Sequence, residues 1–343
     1  MTTNAIWEFV RASPQYNFLR ENPVLQDNII LLGLGGSYAY GTNNEDSDVD
    51  IRGIATNTKR NILTRKDFEQ VVELETDTTI YSFEKMVKLL SQCNPNTIEI
   101  LGLENDAYSR VTDLGRILLD NKTIFLSKIA VYSFGGYANA QLRRLENKAA
   151  RTVSQAEQER HILKSIEHAS VTYKERFLAF PEDAIRLYTD KAIQEGYETE
   201  IFMDVSLKHY PLRDYTEMWN EMQNIVKQYS RIGKRNEHAI ARDKLGKHMM
   251  HLVRLYLMCF DILERHEIRT YRKDEHDFLM SIRNGEFLNN AGQPTEDFYV
   301  IVDDLEKRLN YDSENTDLPD RPNQNAIEEL VYEVNSKVIC KGK

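Results

Sequence analysis

The first apolar run of the chain predicts a buried strand that ends at two glycines. Residues 24–34 close in the sequence IILLGL, and Gly35 and Gly36 follow directly. A short, continuous apolar run bounded by glycine is typical of a strand that is buried on both faces. We therefore expect a strand, a tight turn, and a helix that begins at that turn.

Further along, a second pattern alternates strictly between polar and apolar residues. Asp48-Val49-Asp50-Ile51 follows the polar stretch SYAYGTNNEDS. Side chains along a strand point alternately to its two faces. The pattern therefore predicts a strand over residues 48–51, with both aspartates on the same face.

The same alternation returns over residues 71–81 and predicts another strand. In this interpretation Glu73, Glu75 and Asp77 share one face. Residues 82–93 then carry apolar side chains at the spacing of an amphipathic helix. The predicted strands are thus concentrated in the first third of the chain.

Beyond residue 106 the apolar spacing changes to that of helices. The order of elements predicts an α+β fold, with a small sheet domain at residues 1–120 and a mainly helical domain at residues 121–343. A variable insertion is expected near residues 150–235. The predicted helices span residues 107–120, 123–150, 154–178, 182–195, 214–231, 237–265, 294–309 and 325–338, with a short β segment allowed near 198–212 and a polar loop at 310–323.

Composition limits the classes of function that remain. The 343 residues carry a net charge of -10, whereas proteins that grip long nucleic acids are usually basic. A large RNA or DNA footprint is therefore not expected, although a local basic patch is compatible with this charge. The three cysteines are far apart and form no CxxC pair, which favours reduced thiols. With no apolar run long enough for a signal peptide or a membrane span, we expect a cytoplasmic protein.

The spacing between a Gly-Ser pair and two aspartates carries the chemical information. Ten residues separate Gly36-Ser37 from Asp48-Val49-Asp50. Phosphoryl transfer with two metal ions requires carboxylates that reach both ions, and two aspartates side by side on a strand suit this task. A turn that opens a helix offers backbone N–H groups to phosphate. The alternative is that the aspartates lie on a solvent-facing strand edge.

These motifs resemble a known superfamily. The string GGSYAYGTNNEDSDVDIRGI, residues 35–54, resembles the signature of DNA polymerase β-like nucleotidyltransferases. In its full length it is similar to the RNA-ligase-associated nucleotidyltransferases called RlaP. Other segments agree with that family, namely Asp77-x-x-Ile80-Tyr81, Asn94-Pro95-Asn96, Glu99-Ile100-Leu101, Phe134-x-Gly136-Tyr137-Ala138 with Gln141, His251-Leu252-x-Arg254-Leu255 and Ile282-Arg283-Asn284-Gly285-Glu286.

The resemblance implies a polymerase β-like sheet domain and roles for individual residues. Asp48 and Asp50 would be paired ligands for Mg²⁺ or Mn²⁺, and Gly36 and Ser37 would hold the phosphates of a nucleoside triphosphate. Asp77 would be the third carboxylate and would also accept the proton of the attacking hydroxyl. Glu75 stays open as an alternative third carboxylate, because it lies on the same face as Asp77 and a slip of the strand register would exchange the two acids.

A basic stripe on the helix predicted at 237–265 is a second candidate. Lys244, Lys247, His251 and Arg254 recur at spacings of three, four and three, which places them on one face. Facing an acidic metal site, this stripe would bind triphosphate, and the family resemblance at His251 and Arg254 supports that role. A solvated face is the alternative.

Short basic clusters are candidates for contact with an RNA end. Lys234, Arg235 and the loop 269–273 are the ones that we expect to touch phosphate, if RNA is the acceptor. The remaining basic pairs are expected to be solvated surface.

The resemblance implies transfer of a nucleoside monophosphate to an acceptor hydroxyl with release of pyrophosphate. An RNA or tRNA 3′ end is the acceptor that the family association suggests, in RNA repair. The acidic net charge fits a protein or small-molecule acceptor at least as well. A non-catalytic nucleotide-binding module is a further alternative, which the intact Gly-Ser and Asp-x-Asp motifs disfavour. No membrane partner is expected.

Overall fold

The computed structural model describes residues 2–45, 47–150, 185–191, 199–212, 242–290 and 292–340, together with residues 193, 215, 216, 219 and 223. The chain divides into two compact units that are discontinuous in sequence. The first comprises Met1–Leu142, Gly246–Phe287 and Glu296–Lys343, and the second comprises Arg143–Leu245 and Leu288–Thr295. The predicted domains, 1–120 and 121–343, stay a prediction.

A five-stranded mixed sheet forms the base of the first unit. Its spatial order is β3-β4-β2-β1-β5. β2 and β4 are parallel, and the other neighbouring pairs are antiparallel. The five strands are β1 Ile29–Leu34, β2 Ile51–Ala55, β3 Gln70–Glu73, β4 Thr78–Ser82 and β5 Tyr108–Val111.

Helices surround this sheet and make up most of the rest of the described chain. Together with the N-terminal sheet they confirm the predicted α+β class. The helices are α1 Thr3–Ala12, α2 Phe18–Glu21, α3 Gly36–Tyr40, α4 Lys59–Thr64, α5 Phe83–Leu90, α6 Pro95–Ile98, α7 Asp113–Asp120, α8 Ile129–Ala150, α9 Arg242–Arg265, α10 His276–Arg283, α11 Glu296–Asn315 and α12 Gln324–Cys340.

Burial explains why the central strands form where the apolar run is. All six residues of β1 are buried, as expected for a strand covered on both faces. Trp7 of α1 and Tyr16 pack into the same apolar cluster as Ile51 of β2. Val49 and Tyr38 are partly buried and pack against this cluster. Val49, which lies between Asp48 and Asp50, thus attaches this segment to the edge of the core.

α5 forms as the sequence predicts, and its local chemistry explains its limits. Its buried side chains are Phe83, Met86, Val87 and Leu90, which lie on one face at helical spacing. The hydroxyl of Ser82 accepts a hydrogen bond from the N–H of Lys85, so the helix begins with a side-chain cap.

Two strand predictions near the site are wrong in detail. β2 begins at Ile51, so Asp48 and Asp50 lie in the extended segment before the strand. Residues 71–81 form a hairpin instead of one strand, because the chain turns at residues 74–77 between β3 and β4. Asp77 adopts a φ of +40° in this turn, a conformation that aspartate tolerates better than most residues. The predicted common face of Glu73, Glu75 and Asp77 is therefore absent.

Other helix predictions also need correction. The predicted helix 107–120 begins only at Asp113, because Tyr108–Val111 pairs with β1 as an edge strand. α11 continues to Asn315, into the predicted polar loop. The first error arose because pairing with β1 is a long-range contact that helical spacing does not reveal. The second arose because polar residues were taken to indicate a loop, whereas the helix continues through them. The predicted helix 154–178 lies outside the described residues, as does most of 214–231.

The described part of the second unit contains a two-stranded antiparallel sheet. β6 Ile185–Lys191 pairs with β7 Thr199–Val205 from Ile185 opposite Val205 to Lys191 opposite Thr199. β7 confirms the β segment allowed near 198–212, whereas the helix predicted at 182–195 is wrong. The stacked rings of Tyr188 and Phe202, 5.9 Å apart, show the cross-strand pairing that overrides helical spacing here.

Across the described residues, no helix combines the length and the apolar character that crossing a membrane requires. Cys93, Cys259 and Cys340 are free thiols, and the first two are buried.

Candidate active site

Two carboxylates lie side by side where two parallel strands begin. Ile51 of β2 is the register partner of Thr78 of β4, and the N–H of Ile51 donates to the carbonyl of Asp77 over 3.3 Å. Asp50 and Asp77 each directly precede these partners. Their side chains meet in a hydrogen bond. The parallel pairing of β2 and β4 therefore creates the carboxylate pair.

The two carboxylates have opposite pKa shifts. Burial and the hydrogen bond to Asp77 raise the pKa of Asp50 to about 7, against the opposing effect of Arg52. The hydrogen bond from Asp50 holds the pKa of Asp77 below its ordinary value, and Arg52 adds to this shift. The two carboxylates therefore titrate as a pair, because proton binding by one changes the pKa of the other.

A glycine is required opposite this pair. Gly36, the first residue of α3, has a φ of +56°, and a Cβ on it would overlap Oδ2 of Asp50. The N–H of Gly35 donates to the carbonyl of Asp50 over 2.8 Å. Ser37 follows and is 8% exposed. The predicted phosphate-binding turn and the predicted metal ligand Asp50 are therefore in direct contact.

Asp48 does not join the pair. It is exposed, and it lies three residues before β2, where the alternation of a strand does not apply. Within the described residues, no group of three or more His, Cys, Asp or Glu side chains is arranged to hold a metal ion. Of the three predicted ligands, the structure brings Asp50 and Asp77 together and leaves Asp48 apart. Glu75, the alternative third acid, is exposed in the hairpin turn.

The chemistry of this donor set fits a divalent cation. Carboxylate oxygens are the ligands that Mg²⁺ and Mn²⁺ prefer. The raised pKa of Asp50 marks a buried acid that lacks sufficient positive charge nearby, which a divalent ion would supply. The residues present therefore fit a metal, with Asp50 and Asp77 as its nearest ligands.

Two basic side chains border the carboxylates. Nη2 of Arg52 lies 3.2 Å from Oδ1 of Asp77, and Nη1 donates to the carbonyl of the same residue. Arg52 therefore neutralises Asp77. Lys247 of α9 is exposed, and its charge lowers the pKa values of Asp50 and Asp77. Of the predicted basic stripe, Lys247 is thus an exposed member whose charge acts on the pair.

Arg254 has a different environment from the one the sequence suggested. It is 1% exposed, and its guanidinium lies 3.5 Å from the centroid of the Tyr40 ring. Nη1 is 3.7 Å from Oε2 of the buried Glu99, which also accepts a 2.6 Å hydrogen bond from the hydroxyl of Tyr40. Tyr40 is the last residue of α3, the helix that begins with Gly36 and Ser37. The contacts of Arg254 with Tyr40 and Glu99 therefore hold the C-terminal end of this helix in place.

His251 is bound to the same network. Its Nδ1 accepts a 3.0 Å hydrogen bond from Nη2 of Arg254, since arginine can only donate. Burial, followed by the positive charge of Arg254, lowers the pKa of His251 to about 2. The imidazole is therefore neutral, with its proton on Nε2, and the ring packs edge-on against Tyr137 at 6.1 Å.

The predicted RNA-contacting loop 269–273 is engaged in ion pairs. Arg272 is fully buried and lies 2.6 Å from Oδ2 of Asp261, and Arg269 contacts the same carboxylate at 3.3 Å. The N–H of Arg272 also donates to the carbonyl of Tyr40 over 3.0 Å. The side chains of these two arginines hold the loop against Asp261 of α9, and the backbone of Arg272 ties it to the end of α3, which corrects the expectation that the arginines face phosphate. Lys234 and Arg235 lie outside the described residues.

Sequence reasoning missed two acidic partners of the site, Glu99 and Asp261. Glu99 lies far from Arg254 along the chain, and Asp261 and Arg272 lie on either side of the end of α9, so no helical spacing marks either acid as the partner of its arginine. The only available signal for Glu99 was its place in a motif shared with a known family.

Comparison with family models gives one match. Residues 8–169 match the model of RlaP, described as the RNA repair pathway DNA polymerase beta family. The match includes the Gly-Ser turn, the segment 48–50 and the hairpin that carries Asp77, and it confirms the resemblance seen in the sequence. Searches of curated proteins and of solved structures gave no significant match.

Proposed function

We propose that this chain, whose residues 8–169 match the RNA repair pathway DNA polymerase beta family, transfers a nucleoside monophosphate from a nucleoside triphosphate to an acceptor hydroxyl. The observation that carries the proposal is the contact between the Asp50–Asp77 pair and Gly36. Carboxylates that can bind a cation and a glycine turn that can bind phosphate are therefore in contact, and nucleotidyl transfer requires both.

In the proposed reaction, the acceptor oxygen forms a bond to the α-phosphorus and the bond to the bridging oxygen of the β-phosphate breaks. Pyrophosphate leaves with the electron pair of that bond. In this proposal Gly36 and Ser37 bind the triphosphate, and Lys247 neutralises part of its charge. A divalent ion held by Asp50 and Asp77, with Asp48 as a third ligand, would supply charge neutralisation at the oxygens that react.

The proton of the acceptor hydroxyl needs a base within reach. Asp77 is the proposed base, because its side chain is exposed at the edge of the site, whereas that of Asp50 lies against Gly36. The hydrogen bond with Asp50 and the charge of Arg52 hold the pKa of Asp77 below its ordinary value, so this carboxylate is ionised and can accept a proton.

We propose an RNA end as the acceptor, with the family description as support. The net charge of -10 argues for a short contact with the terminal nucleotides instead of a long footprint. The ion pairs of Arg269 and Arg272 agree with this reading, since they remove two cations from the set that would bind RNA. Transfer to a protein or small molecule is the second candidate, favoured by the same acidic charge.

The test is incorporation of label from each of the four α-³²P nucleoside triphosphates with Mg²⁺ or Mn²⁺. Total RNA, tRNA and the protein itself serve as acceptors, and the Asp50→Asn variant is the control. We expect label on RNA that is lost in the variant. Label on protein would support the second candidate. Binding of nucleotide without transfer to any acceptor would contradict the proposed catalysis.

A further inference from the structure

One buried arginine joins both ends of the loop between the Gly-Ser helix and the aspartates. Arg283, the last residue of α10, is 9% exposed. Its Nη1 donates to the carbonyl of Thr42, and its Nη2 donates to Oγ of Ser47 over 3.3 Å. Ser47 directly precedes Asp48, so a single guanidinium lies between the end of α3 and the first aspartate.

Each anchor point is itself fixed. Thr42 is fully buried, and its N–H donates to the carbonyl of Ser37 over 2.9 Å. Oγ of Ser47 accepts from the N–H of Asn44 at 2.9 Å and donates to Oδ1 of Asn44 at 2.7 Å. Arg283 therefore bonds to Thr42, just after the end of α3, on one side and to Ser47, directly before Asp48, on the other.

The backbone of Arg283 is fixed as well. A Cβ on Gly246 of α9 would overlap the carbonyl oxygen of Arg283, so the two helices are in close contact at this point. α10 ends directly afterwards, at Asn284 and at Gly285 with a φ of +88°. The guanidinium is thus presented from a rigid support, which is the condition for a positioning role.

We propose that Arg283 is a positioning residue that, through its bonds to Thr42 and Ser47, holds the backbone next to Asp48 so that this carboxylate would be able to reach a metal held by Asp50 and Asp77. This inference rests on the proposed function. Only arginine suits the position, because its planar fork donates to two acceptors at once, whereas the single ammonium of lysine does not reproduce this geometry. Loss of the bridge would leave Asp50 held by Gly35 and would release Asp48.

The proposal separates metal binding from nucleotide binding. The Gly-Ser turn keeps its own hydrogen bonds when Arg283 is changed, so the KM for nucleoside triphosphate should stay close to its original value. The segment that carries Asp48 loses an anchor, so metal affinity and kcat should fall together. A purely structural role would instead lower metal affinity, kcat and stability together and would raise the KM.

The experiment compares Arg283→Lys, Ser47→Ala and the double variant with the original protein. Binding of Mn²⁺ alone is measured by electron paramagnetic resonance, and kcat, KM and thermal unfolding are measured in parallel. Arg308→Lys is the control, since Arg308 pairs with Glu264 and lies over the Phe260 ring, outside the site.

We expect Arg283→Lys to weaken Mn²⁺ binding and to lower kcat, each by about tenfold or more, as for a misplaced reacting group. Ser47→Ala should act in the same direction, and the double variant should lose less than the sum of the two single losses, because both variants remove the bond between Arg283 and Ser47. Arg308→Lys should bind Mn²⁺ normally.

Unchanged Mn²⁺ binding in a folded Arg283→Lys protein would overturn the proposal. If that variant does not fold, Ser47→Ala decides in its place, with weaker Mn²⁺ binding in support and unchanged binding against. A chain that transfers no nucleotide at all contradicts the proposed function, while the Mn²⁺ measurement still tests Arg283 independently.

Discussion

Gly36 and Asp50 are in contact across the site, and Oδ2 of Asp50 occupies the space that a Cβ on Gly36 would need. The φ of +56° at Gly36 adds a second reason for glycine, because this conformation is costly for any residue with a Cβ. One contact therefore joins the two halves of the motif that the sequence separates by ten residues.

Gly36→Ala should abolish function through this contact. The added Cβ must displace the Asp50 carboxylate, so we expect transfer to fall by about a hundredfold or more. Strain at the positive φ should cost about 1–3 kcal/mol of stability. Transfer assays and thermal unfolding measure the two effects.

Gly136→Ala is the matched control for that variant. Gly136 lies within α8, and a Cβ there would meet nothing within 4 Å. Alanine should raise stability by about 0.5–1 kcal/mol and leave transfer intact. Equal activity of both alanine variants would contradict the assigned contact between Gly36 and Asp50.

The pKa of Asp50 predicts an unusual dependence of stability on pH. Its folded-state pKa of about 7 exceeds the ordinary value of 3.8, so the folded protein binds the extra proton. This contribution to stability is present at low pH and is lost as pH rises from about 4 through 7.

Asp50→Asn should therefore be more stable than the original protein at pH 8, by about 1–2 kcal/mol after allowance for solvent screening. The difference should shrink towards low pH. Urea unfolding without divalent metal, repeated across this range, provides the measurement. A variant that is less stable at pH 8 would show that burial beside Asp77 does not raise the pKa of Asp50.

The effects on stability of substituting Arg254 and Glu99, which form a buried ion pair, should be strongly coupled. Removing the positive charge in Arg254→Met leaves Glu99 buried without a cationic partner, which costs about 3–5 kcal/mol. Because Glu99→Gln removes the opposite charge, the double variant should lose less stability than the sum of the two single losses. Urea unfolding of the four proteins measures this coupling. Additive losses would mean that Arg254 is held mainly by the Tyr40 ring.

His251 should stay neutral throughout the physiological range. Its pKa is lowered to about 2 by burial and then by Arg254, so its contribution to stability is present above its unfolded pKa and is lost as pH falls below it. NMR of the imidazole nitrogens should report the Nε2–H form from about pH 5 to pH 8. The exposed ring of His276 gives a reference signal. Titration of His251 near pH 6 would contradict its buried hydrogen bond with Arg254.

The sequence was sufficient for the α+β class and for the motif residues, but it misplaced their geometry. Strand alternation predicted that Asp48 and Asp50 share a face, yet β2 begins only at Ile51 and Asp48 stays apart. Asp77 reaches Asp50 through parallel pairing of β2 with β4, a long-range register that local periodicity does not encode. No glycine marks the turn at 74–77, so the hairpin had no clear signal.

The basic stripe predicted on α9 was also a weak guide to function, because spacing along a helix does not show which residues are buried. Lys247 and Arg254 lie on the same predicted stripe, but Lys247 is exposed near the carboxylates while Arg254 is buried with Glu99. Spacing identifies residues that share a face, whereas only packing decides which part of that face is covered. The partner Glu99 lies more than 150 residues earlier in the chain, beyond the range of any helical pattern.

The most direct test of the account is nucleotide transfer by Asp77→Asn and Glu75→Gln, two neutralised acids from the same hairpin turn. Asp77 contacts Asp50 and Arg52, whereas Glu75 is exposed. We predict that Asp77→Asn loses transfer by about a hundredfold or more, while Glu75→Gln transfers as the original protein does. Full activity of Asp77→Asn, or loss of activity in Glu75→Gln alone, would contradict the assignment of the Asp50–Asp77 pair as the centre of the reaction.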